Sequence, residues 1–376
     1  MIYFDNAATT SVHPEVVAVY CRLLSEYGNP DSLHSAGRSA KKKMEDSRTR
    51  IASMLHVRPD EILFTSCASE SNTMSIVASA LANQSRGKHV ITSNAEHSSS
   101  EHAFDYLESI GFEVTRLPIG SNGKISLDDL RKAMRKDTIL VSLIHVSNEM
   151  GAVNDIHQAA RIAHENPTCL FHADCTQSFG KIGIPFEDLD LMTMSAHKIH
   201  GLKGSAMLLK KKNVHLQPVI FGGQQEQGLR GGTENAPVHT VLAKTVRLAF
   251  EDQKHGLEKR IRQIRDYIAD EVASMPGAKI LTPENAVPYI LNISFDQITS
   301  EVLMNALDAK GVCVSAKSTC SSKEAGGNQV LKKMGCSDQE AAHGIRLSFS
   351  GQNTMEEARE FVRILKEIIN AYGLQL

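Results

Sequence analysis

Short runs of apolar, β-prone residues alternate with segments of helical spacing between about residue 60 and residue 210. The predicted strands are Glu61–Thr65, His89–Ser93, Glu113–Pro118, Thr138–Val146, Cys169–Ala173, Leu191–Ser195 and Ser205–Leu209. The predicted helices are Ser71–Asn83, Ser98–Ile110, Leu127–Arg135 and Ile156–Glu165. This alternation predicts an α/β fold with a largely parallel sheet covered on both faces. Ligands of such folds bind beyond the carboxyl ends of the strands, so chemistry is expected in the residues that follow each strand.

The pattern changes after about residue 250, where apolar residues recur at steps of three and four. The first such stripe consists of Leu257, Ile261, Ile264, Ile268, Val272 and Met275. A second stripe follows Thr354 and Glu357, which together have the spacing of a helix capping box. We interpret both stripes as core-facing sides of amphipathic helices. The change predicts a large domain at 14–250 and a smaller α/β domain made of 1–13 and 251–376.

Composition narrows the class of protein. The chain has 376 residues, of which 41% are hydrophobic and 22% charged, and these are ordinary globular values. There are 41 lysine and arginine residues against 43 aspartate and glutamate residues, for a net charge of −2. This balance gives no reason to expect direct nucleic-acid binding or attachment to a membrane surface.

The cysteines and the N-terminal segment bear on location. Seven cysteines include no CxxC pair, which argues against a disulfide framework and against a zinc site. We therefore expect no metal. No stretch approaches the ~20 apolar residues of a membrane span, and the first residues do not resemble a signal peptide. The expected protein is a cytoplasmic enzyme.

A lysine and an aspartate follow two neighbouring predicted strands. Asp174 ends the strand Cys169–Ala173, and Lys198 comes shortly after Leu191–Ser195. A lysine in such a place can form a Schiff base, and an acid facing the ring nitrogen of pyridoxal phosphate (PLP) keeps that nitrogen protonated. Taken singly, Lys198 could be an exposed turn residue and Asp174 a helix cap. As a pair they favour a PLP site.

Two further segments have chemistry that suits a phosphorylated cofactor. Ser66–Asn72 places small and hydroxyl residues before a predicted helix, a common phosphate seat but also an ordinary helix start. A glycine-rich stretch that includes Arg230–Asn235 has no P-loop signature. His97 follows a strand and could transfer protons near neutral pH, although most of the 16 histidines must be structural or exposed.

These segments belong to a longer series of motifs that runs along nearly the whole chain. The series comprises Tyr3–Thr10, Tyr27–Pro30, Phe64–Asn72, Glu96–His97, Asn148–Gly151, His172–Asp174, Ser195–Lys198, Gly222–Glu226, Arg230–Asn235 and Ile345–Ser348. In order and spacing the series resembles the cysteine desulfurases of the NifS/IscS type. These enzymes belong to the class V aminotransferase group of fold type I PLP-dependent enzymes.

The resemblance implies how the cofactor would be held. Lys198 would carry PLP, Asp174 would pair with the pyridine nitrogen, and Gln177 would bind the ring hydroxyl. His97 would stack on the ring and shuttle protons. The residues implied around the phosphate are Ala68, Ser69, Ser195 and His197.

Three more roles follow from the same resemblance. Thr233 would reach the phosphate of a partner chain, which implies a homodimer. Arg346 would bind the substrate carboxylate through its bidentate guanidinium, with help from Asn148, which would also contact the cofactor. The segment at about 315–328 would be the family's mobile loop, and Cys320 falls on its sulfur-accepting cysteine.

The chain departs from the family pattern at two positions that could alter activity. Lys317 stands where glycine is usual, and we hypothesise that its charge favours the Cys320 thiolate. Cys67 also replaces a usual glycine. We interpret Cys67 as a small packing residue rather than a second sulfur carrier.

The resemblance predicts a PLP-dependent cysteine desulfurase. It would convert L-cysteine to L-alanine and hold the sulfur as a persulfide on Cys320. Delivery would be to an iron–sulfur scaffold or to a protein of tRNA or cofactor thiolation, and the sequence does not decide which. Two alternatives remain: a selenocysteine lyase, and a docking platform in a sulfur relay with weak activity alone.

Overall fold

A computed structural model describes residues 1–316 and 327–372, and its largest element is a seven-stranded sheet. The strands of the chain are β1 (Ile2–Tyr3), β2 (Ile62–Thr65), β3 (His89–Ser93), β4 (Glu113–Leu117), β5 (Thr138–Ile144), β6 (Leu170–Asp174), β7 (Leu191–Ser195), β8 (Ala206–Lys210), β9 (Ala278–Ile280), β10 (Ile290–Phe295), β11 (Val312–Cys313) and β12 (Ile345–Ser348). The large sheet has the order β2-β8-β7-β6-β5-β3-β4. Only β8 runs antiparallel to its neighbours in this sheet. The predicted α/β fold with a mostly parallel sheet is confirmed.

Helices cover both faces of this sheet. The helices of the described residues, including those that pack on the C-terminal sheet, are α1 (Pro14–Leu23), α2 (Ser35–Leu55), α3 (Ala68–Thr73), α4 (Ser79–Asn83), α5 (Ser98–Ser109), α6 (Leu127–Ala133), α7 (Ile156–His164), α8 (Ala236–Lys254), α9 (Leu257–Ala273), α10 (Ser300–Asp308), α11 (Gln329–Lys333), α12 (Asp338–His343) and α13 (Met355–Ala371). Alternate residues of a strand enter different apolar clusters, as Phe64 and Leu63 do in β2. Within the described ranges, no helix combines the length and the apolar character that a membrane crossing needs.

The apolar pattern did not predict α2, although this helix packs against α8 beside the sheet. Its buried face is made largely of small and polar residues, such as Gly37, Ala40 and Ser47. A stripe of this kind gives little hydrophobic contrast. The helix is therefore fixed by tertiary packing more than by its own periodicity.

The C-terminal part has its own sheet and core. Strands β9, β10 and β12 form an antiparallel sheet in the order β12-β10-β9. The predicted stripe from Leu257 to Met275 is buried in the apolar cluster around this sheet, together with α13. The capping box of Thr354 and Glu357 is present at the start of α13. Both amphipathic helices are thus confirmed. The sequence predicts that the second stripe consists of Phe361, Ile364, Leu365, Ile368, Ile369 and Tyr372. All of these are buried except Tyr372, which is half exposed just after α13, so the stripe ends at Ile369.

The N-terminal segment joins the two sheets. β1 pairs with β11, and Phe4 is buried in the C-terminal core. Asn6 then donates its backbone N–H to Ser348 in β12, while Thr10 donates to His197 after β7. Residues 5–10 therefore cross between the small sheet and the large one. The predicted domain division, whose boundary at residue 250 falls within α8, stays a prediction.

Candidate active site

A cavity of about 200 Å³ lies where the carboxyl ends of the parallel strands face the N-terminal segment. Its lining is Ala7, Ala8, Cys67, Ala68, Ser69, His97, Ile144, Asn148, Asp174, Thr176, Gln177, His197, Lys198 and Arg346. The fold therefore brings together most of the residues that the sequence singled out. Ser195 is buried at the end of β7, and Thr233 is exposed on the loop before α8. Cys320 and Lys317 lie outside the described residues.

Asp174 is the last residue of β6 and is fixed through both carboxylate oxygens. The backbone N–H of Thr176 donates to Oδ1 at 2.9 Å, and Asn72 Nδ2 donates to Oδ2 at 2.8 Å. Asp174 is only 3% exposed and Asn72 is fully buried. Charge-assisted bonds of this kind hold a carboxylate in one orientation. Sequence reasoning did not assign a role to Asn72, a polar residue inside a helical segment.

Lys198 ends a short 3₁₀ turn that follows β7. Its Nζ donates to the carbonyl oxygens of Ala7 and Ala8, at 2.5 and 2.7 Å. Gln177 Nε2 donates to the same Ala7 oxygen at 3.0 Å. The N-terminal segment thus contributes backbone acceptors to the site. Side-chain patterns carry no signal for such a backbone contribution, so Ala7 and Ala8 are not predictable from them.

Gln177 is held on its other side by Lys181 and Tyr289. Lys181 Nζ lies 3.4 Å from Gln177 Oε1 and 4.7 Å from the centroid of the Tyr289 ring. Tyr289 donates its hydroxyl to the Gln177 backbone oxygen at 2.9 Å. Burial, with the nearby charge of Lys198, lowers the pKa of Lys181 to about 7. The amines of Lys181 and Lys198 are therefore close enough for the charge of one to lower the pKa of the other, and Lys181 contacts the cavity residue Gln177.

His197 is uncharged at neutral pH. Burial lowers its pKa to about 4, and the charge of Lys198 adds to the shift. Its Nδ1 is 3.2 Å from the hydroxyl of Thr9. A neutral imidazole in this position can donate or accept a hydrogen bond without adding charge to the cavity.

Arg346 is buried on β12 among oxygen acceptors of its own chain. Nη1 donates to the Asn148 backbone oxygen at 2.8 Å, and Nη2 donates to Asp5 Oδ1 at 3.2 Å. Glu149 Oε1 lies 3.6 Å from Nη1. Burial raises the pKa of Asp5. The guanidinium is therefore fixed in place before any ligand reaches it, and it faces the cavity from a rigid strand.

Glu149 connects Arg346 with the start of α11. Its Oε1 accepts from Asn148 Nδ2 at 3.1 Å, and its Oε2 accepts from Asn328 Nδ2 at 2.9 Å. Asn328 is the N-cap of α11, where its Oδ1 accepts from the first backbone N–H groups of the helix. On the opposite side, Ser315 and Arg346 exchange backbone hydrogen bonds. Residues on both sides of the segment 317–326 are thus tied to the surroundings of Arg346.

His97 and Glu96 lie at the start of α5. His97 is the N-cap of this helix, and its Nδ1 accepts the backbone N–H of Ser99. Glu96 is buried, and Ser93 donates a hydrogen bond to its Oε1 at 2.5 Å. Burial raises the pKa of Glu96 to about 8, and the charge of Asp174 acts in the same direction. Glu96 is therefore largely protonated at neutral pH, unlike a solvated glutamate.

Two residues of the cavity region, Ser195 and Cys67, have informative surroundings. Ser195 Oγ is buried and has no hydrogen-bond partner in the described part of the chain. Cys67 is exposed and lines the cavity at the N-cap of α3. The interpretation of Cys67 as a small packing residue is therefore wrong. The described residues include no group of three or more His, Cys, Asp or Glu side chains placed to hold a metal ion.

Comparison with known sequences gives consistent matches over almost the whole chain. The family described as Aminotransferase class-V matches residues 2–361. A NifS/IcsS protein homolog of Lactobacillus delbrueckii subsp. bulgaricus is 40% identical over 380 residues, which cover 99% of this chain and 98% of that protein. The cysteine desulfurase IscS of Dictyoglomus turgidum is 37% identical, with coverage of 98% and 94%.

Solved structures resemble the fold equally closely. A NifS-like protein matches with a TM-score of 0.92 at 34% identity, covering 98% of this chain and 99% of its own. A structure described as SspA in complex with cysteine matches with a TM-score of 0.82 at 30% identity, covering 94% and 100%. The similarity therefore extends through both sheets and the cavity between them.

Proposed function

The chain belongs to the class-V aminotransferase family, and we propose that it acts within this family as a PLP-dependent cysteine desulfurase. One observation carries the proposal: Asp174 at the end of β6, Lys198 in the turn after β7 and Arg346 on β12 converge on a single cavity. An amine, a fixed carboxylate and a fixed guanidinium are what an amino-acid substrate and PLP require together. The full-length relatives named cysteine desulfurase support the choice of reaction.

The residues of the cavity fit the cofactor. The Asp174 carboxylate, with two N–H donors already in place, suits a protonated pyridine nitrogen. The buried hydroxyl of Ser195, without a partner among the described residues, suits a phosphate oxygen, and Ala68, Ser69 and His197 border the same region. Gln177 has an amide that could turn from Ala7 to a ring hydroxyl. When bound, PLP supplies an electron sink that stabilises negative charge at the substrate's Cα.

The chain's own groups divide the remaining work. Arg346, oriented by Asp5 and Glu149, binds the substrate carboxylate, with Asn148 beside it. Lys198 Nζ, close to the Ala7 and Ala8 carbonyls, removes the Cα proton. His97 carries protons on the other side of the cavity. Because these side chains are held by hydrogen bonds within the chain, their geometry is set before the substrate binds.

The sulfur transfer would use Cys320. Its thiolate attacks the substrate sulfur, the bond between that sulfur and Cβ breaks, and Cβ takes a proton. L-cysteine and one enzyme thiol thus give L-alanine and one enzyme persulfide, with atoms and electrons balanced. This role rests on the place of Cys320 in the sequence motif. The persulfide would then pass to an acceptor protein, either an iron–sulfur scaffold or a thiolation protein. That transfer and the cytoplasmic location of this enzyme stay predictions.

We further propose that the protein is a homodimer whose interface borders the cavity. Tyr27, Leu33 and Phe221 are 92%, 89% and 84% exposed. Large apolar side chains exposed to this degree are typical of interaction surfaces. Phe221 lines a groove that also includes Ser69 and His97. A second copy seated there would cover one wall of the active site, and exposed Thr233 would be directed at the partner rather than at its own cavity.

The test is to measure alanine formed from L-cysteine by the PLP-loaded protein in the presence of a thiol reductant. The proposal expects alanine and sulfide in equal amounts, and no alanine from Lys198→Ala. Cys320→Ser should block persulfide formation, which mass spectrometry detects on the peptide. A much higher rate with L-selenocysteine would favour a selenocysteine lyase. Bound PLP with alanine formed only after a sulfur acceptor is added would favour the relay platform.

A further inference from the structure

We propose that Asn72 and Ser99 form a hydrogen-bonded relay from Asp174 to His97, and that both are positioning residues for the reaction. The inference deepens the proposed function and rests on it, because it concerns the same cavity. It adds two residues to which the motifs assigned no role. Both act through Asp174 and His97 rather than by touching the substrate.

The relay is continuous in distance. Asn72 Nδ2 lies 2.8 Å from Asp174 Oδ2 and 3.0 Å from Ser99 Oγ. Ser99 Oγ lies 2.8 Å from His97 Nδ1, and the Ser99 backbone N–H is 3.2 Å from the same nitrogen. A single buried amide therefore joins the end of strand β6 with the beginning of helix α5.

The chemistry fixes the direction of each hydrogen bond. Asn72 must present its NH₂ group to Asp174, since its amide oxygen would be repelled by the carboxylate. The two N–H bonds of this group then point to Asp174 and Ser99, and Ser99 Oγ acts as an acceptor. The Ser99 hydroxyl proton is left to donate to His97 Nδ1, which also accepts the backbone N–H. Nδ1 is thus an acceptor, and a neutral His97 carries its proton on Nε2.

This arrangement has a functional consequence. One amide, that of Asn72, orients two groups of the site. It bonds the Asp174 carboxylate, which would face the cofactor nitrogen, and through Ser99 it orients the His97 imidazole, which would move protons. Loss of Asn72 removes a hydrogen bond from Asp174 and loosens Ser99 at the same time. Loss of the Ser99 hydroxyl affects only the histidine. Substitution of Asn72 should therefore weaken cofactor binding as well as disturb His97, whereas substitution of Ser99 should disturb His97 alone. A purely structural role would not separate these two effects.

The variants are Asn72→Leu, which keeps the size without donors, Ser99→Ala, and Ser99→Thr, which restores a hydroxyl. Ser98→Ala is the control on the same helix end, outside the relay. PLP affinity is measured by titrating the cofactor-free protein. Asn72→Leu should weaken it by about tenfold, the effect of losing one hydrogen bond to a charged group, while Ser99→Ala should change it by less than about twofold.

Turnover and histidine spectra complete the test. Ser99→Ala should lower kcat by about tenfold with little change in KM, and Ser99→Thr should recover most of the loss. The double variant should have the kcat of Asn72→Leu alone, because the two residues act in series. In the cofactor-free protein, the imidazole nitrogen resonances of His97, assigned by their loss in His97→Gln, should show the Nε2–H form. They should move toward the average of the two tautomers in Ser99→Ala.

Unchanged His97 resonances in Ser99→Ala, or an equal change in Ser98→Ala, would overturn the relay. The Ser99→Ala and Ser99→Thr pair decides the question even if Asn72→Leu does not fold. The resonance and PLP-affinity measurements need no turnover. A protein that shows the expected spectra but forms no alanine would therefore refute the proposed function and leave the relay standing.

Discussion

Arg346 and Asp5 form a partly buried ion pair in which Nη2 lies 3.2 Å from Oδ1. The arginine is 2% exposed, so its guanidinium is held by its own chain on one edge and keeps little freedom on the other. A planar guanidinium fixed in this way can bind a second carboxylate, that of the ligand, only in a defined orientation. Recognition of the substrate carboxylate should therefore depend on the shape of the group as well as its charge.

Arg346→Lys tests this dependence. The substitution retains the positive charge but loses the fork, so KM for L-cysteine should rise by about tenfold or more, with a smaller change in kcat. Steady-state alanine formation measures both constants. Arg359→Lys, on the exposed side of α13, is the control and should leave both unchanged. A normal KM in Arg346→Lys would mean that another group binds the carboxylate.

The buried acid Glu96 predicts a pH-dependent stability. Its pKa rises from the ordinary 4.5 to about 8, so between these pH values the folded state holds one proton more than the unfolded state. The free energy of unfolding therefore falls as the pH rises through this window. Glu96→Gln removes the titration. Relative to the wild type, the variant should gain stability progressively from pH 5 to pH 8.5.

Urea unfolding at several pH values measures the difference. Glu284→Gln provides an exposed control, for which the difference from the wild type should stay constant with pH. A constant difference for Glu96→Gln as well would show that Glu96 ionises normally in the folded protein.

The Arg48–Glu226 pair predicts a large loss of stability on truncation. Arg48 donates to both carboxylate oxygens of Glu226, at 2.9 and 2.7 Å, and Glu226 also accepts the backbone N–H of Phe64. Glu226 has φ of 45° and Gln227 has φ of 63°, a left-handed turn that this bonding holds in place. Glu226→Ala removes the buried carboxylate from Arg48, which keeps only the half-exposed Glu45 as an acidic partner, and should lower the free energy of unfolding by about 3–5 kcal/mol.

Glu45 supplies a matched control, because it also pairs with Arg48 but is half exposed. Glu45→Ala should lower the free energy of unfolding by less than about 1 kcal/mol. Denaturant titration of the two variants side by side gives the comparison. Similar losses in both variants would indicate that the buried Arg48–Glu226 pair stabilises the fold no more than the half-exposed Arg48–Glu45 pair.

The exposed thiol of Cys67 predicts protection by the cofactor. Because Cys67 lines the cavity, iodoacetamide should label it readily in the cofactor-free protein and much more slowly once PLP is bound. Cys21 is exposed on α1 and outside the cavity, so its labelling should not respond to PLP. Peptide mass spectrometry quantifies both sites. Equal labelling of Cys67 with and without PLP would place the cofactor elsewhere.

The sequence predicted the large sheet well, because all of its strands except the edge strand β4 are short, mainly apolar runs buried on both faces. β3 and β7 have the predicted bounds, and the other five strands of this sheet differ by one or two residues at their ends. The strands of the C-terminal sheet were not predicted. β9 has three residues and lies between loops, so local pattern gives it no distinct signal.

The site was predicted as far as it consists of residues at strand ends. Asp174, Lys198 and His97 were all found by this rule, and the structure brings them to one cavity. The rule cannot find Ala7 and Ala8, whose contribution is a backbone oxygen. It also missed Asn72, since a buried amide within a helix is visible only when the opposite carboxylate is known.

The crossing of residues 5–10 between the two sheets has a consequence for how the protein is made. Asn6 donates to the backbone oxygen of Ser348, and Thr10 donates to that of His197. Residues 5–10 thus have to wait for the synthesis of β12, more than 300 residues later in the chain, before the cavity can close. Pairings of such long sequence separation form late and slowly. The large sheet, formed by residues 62–210, can assemble during translation, whereas a cofactor-competent site requires a chain that has been made at least as far as β12.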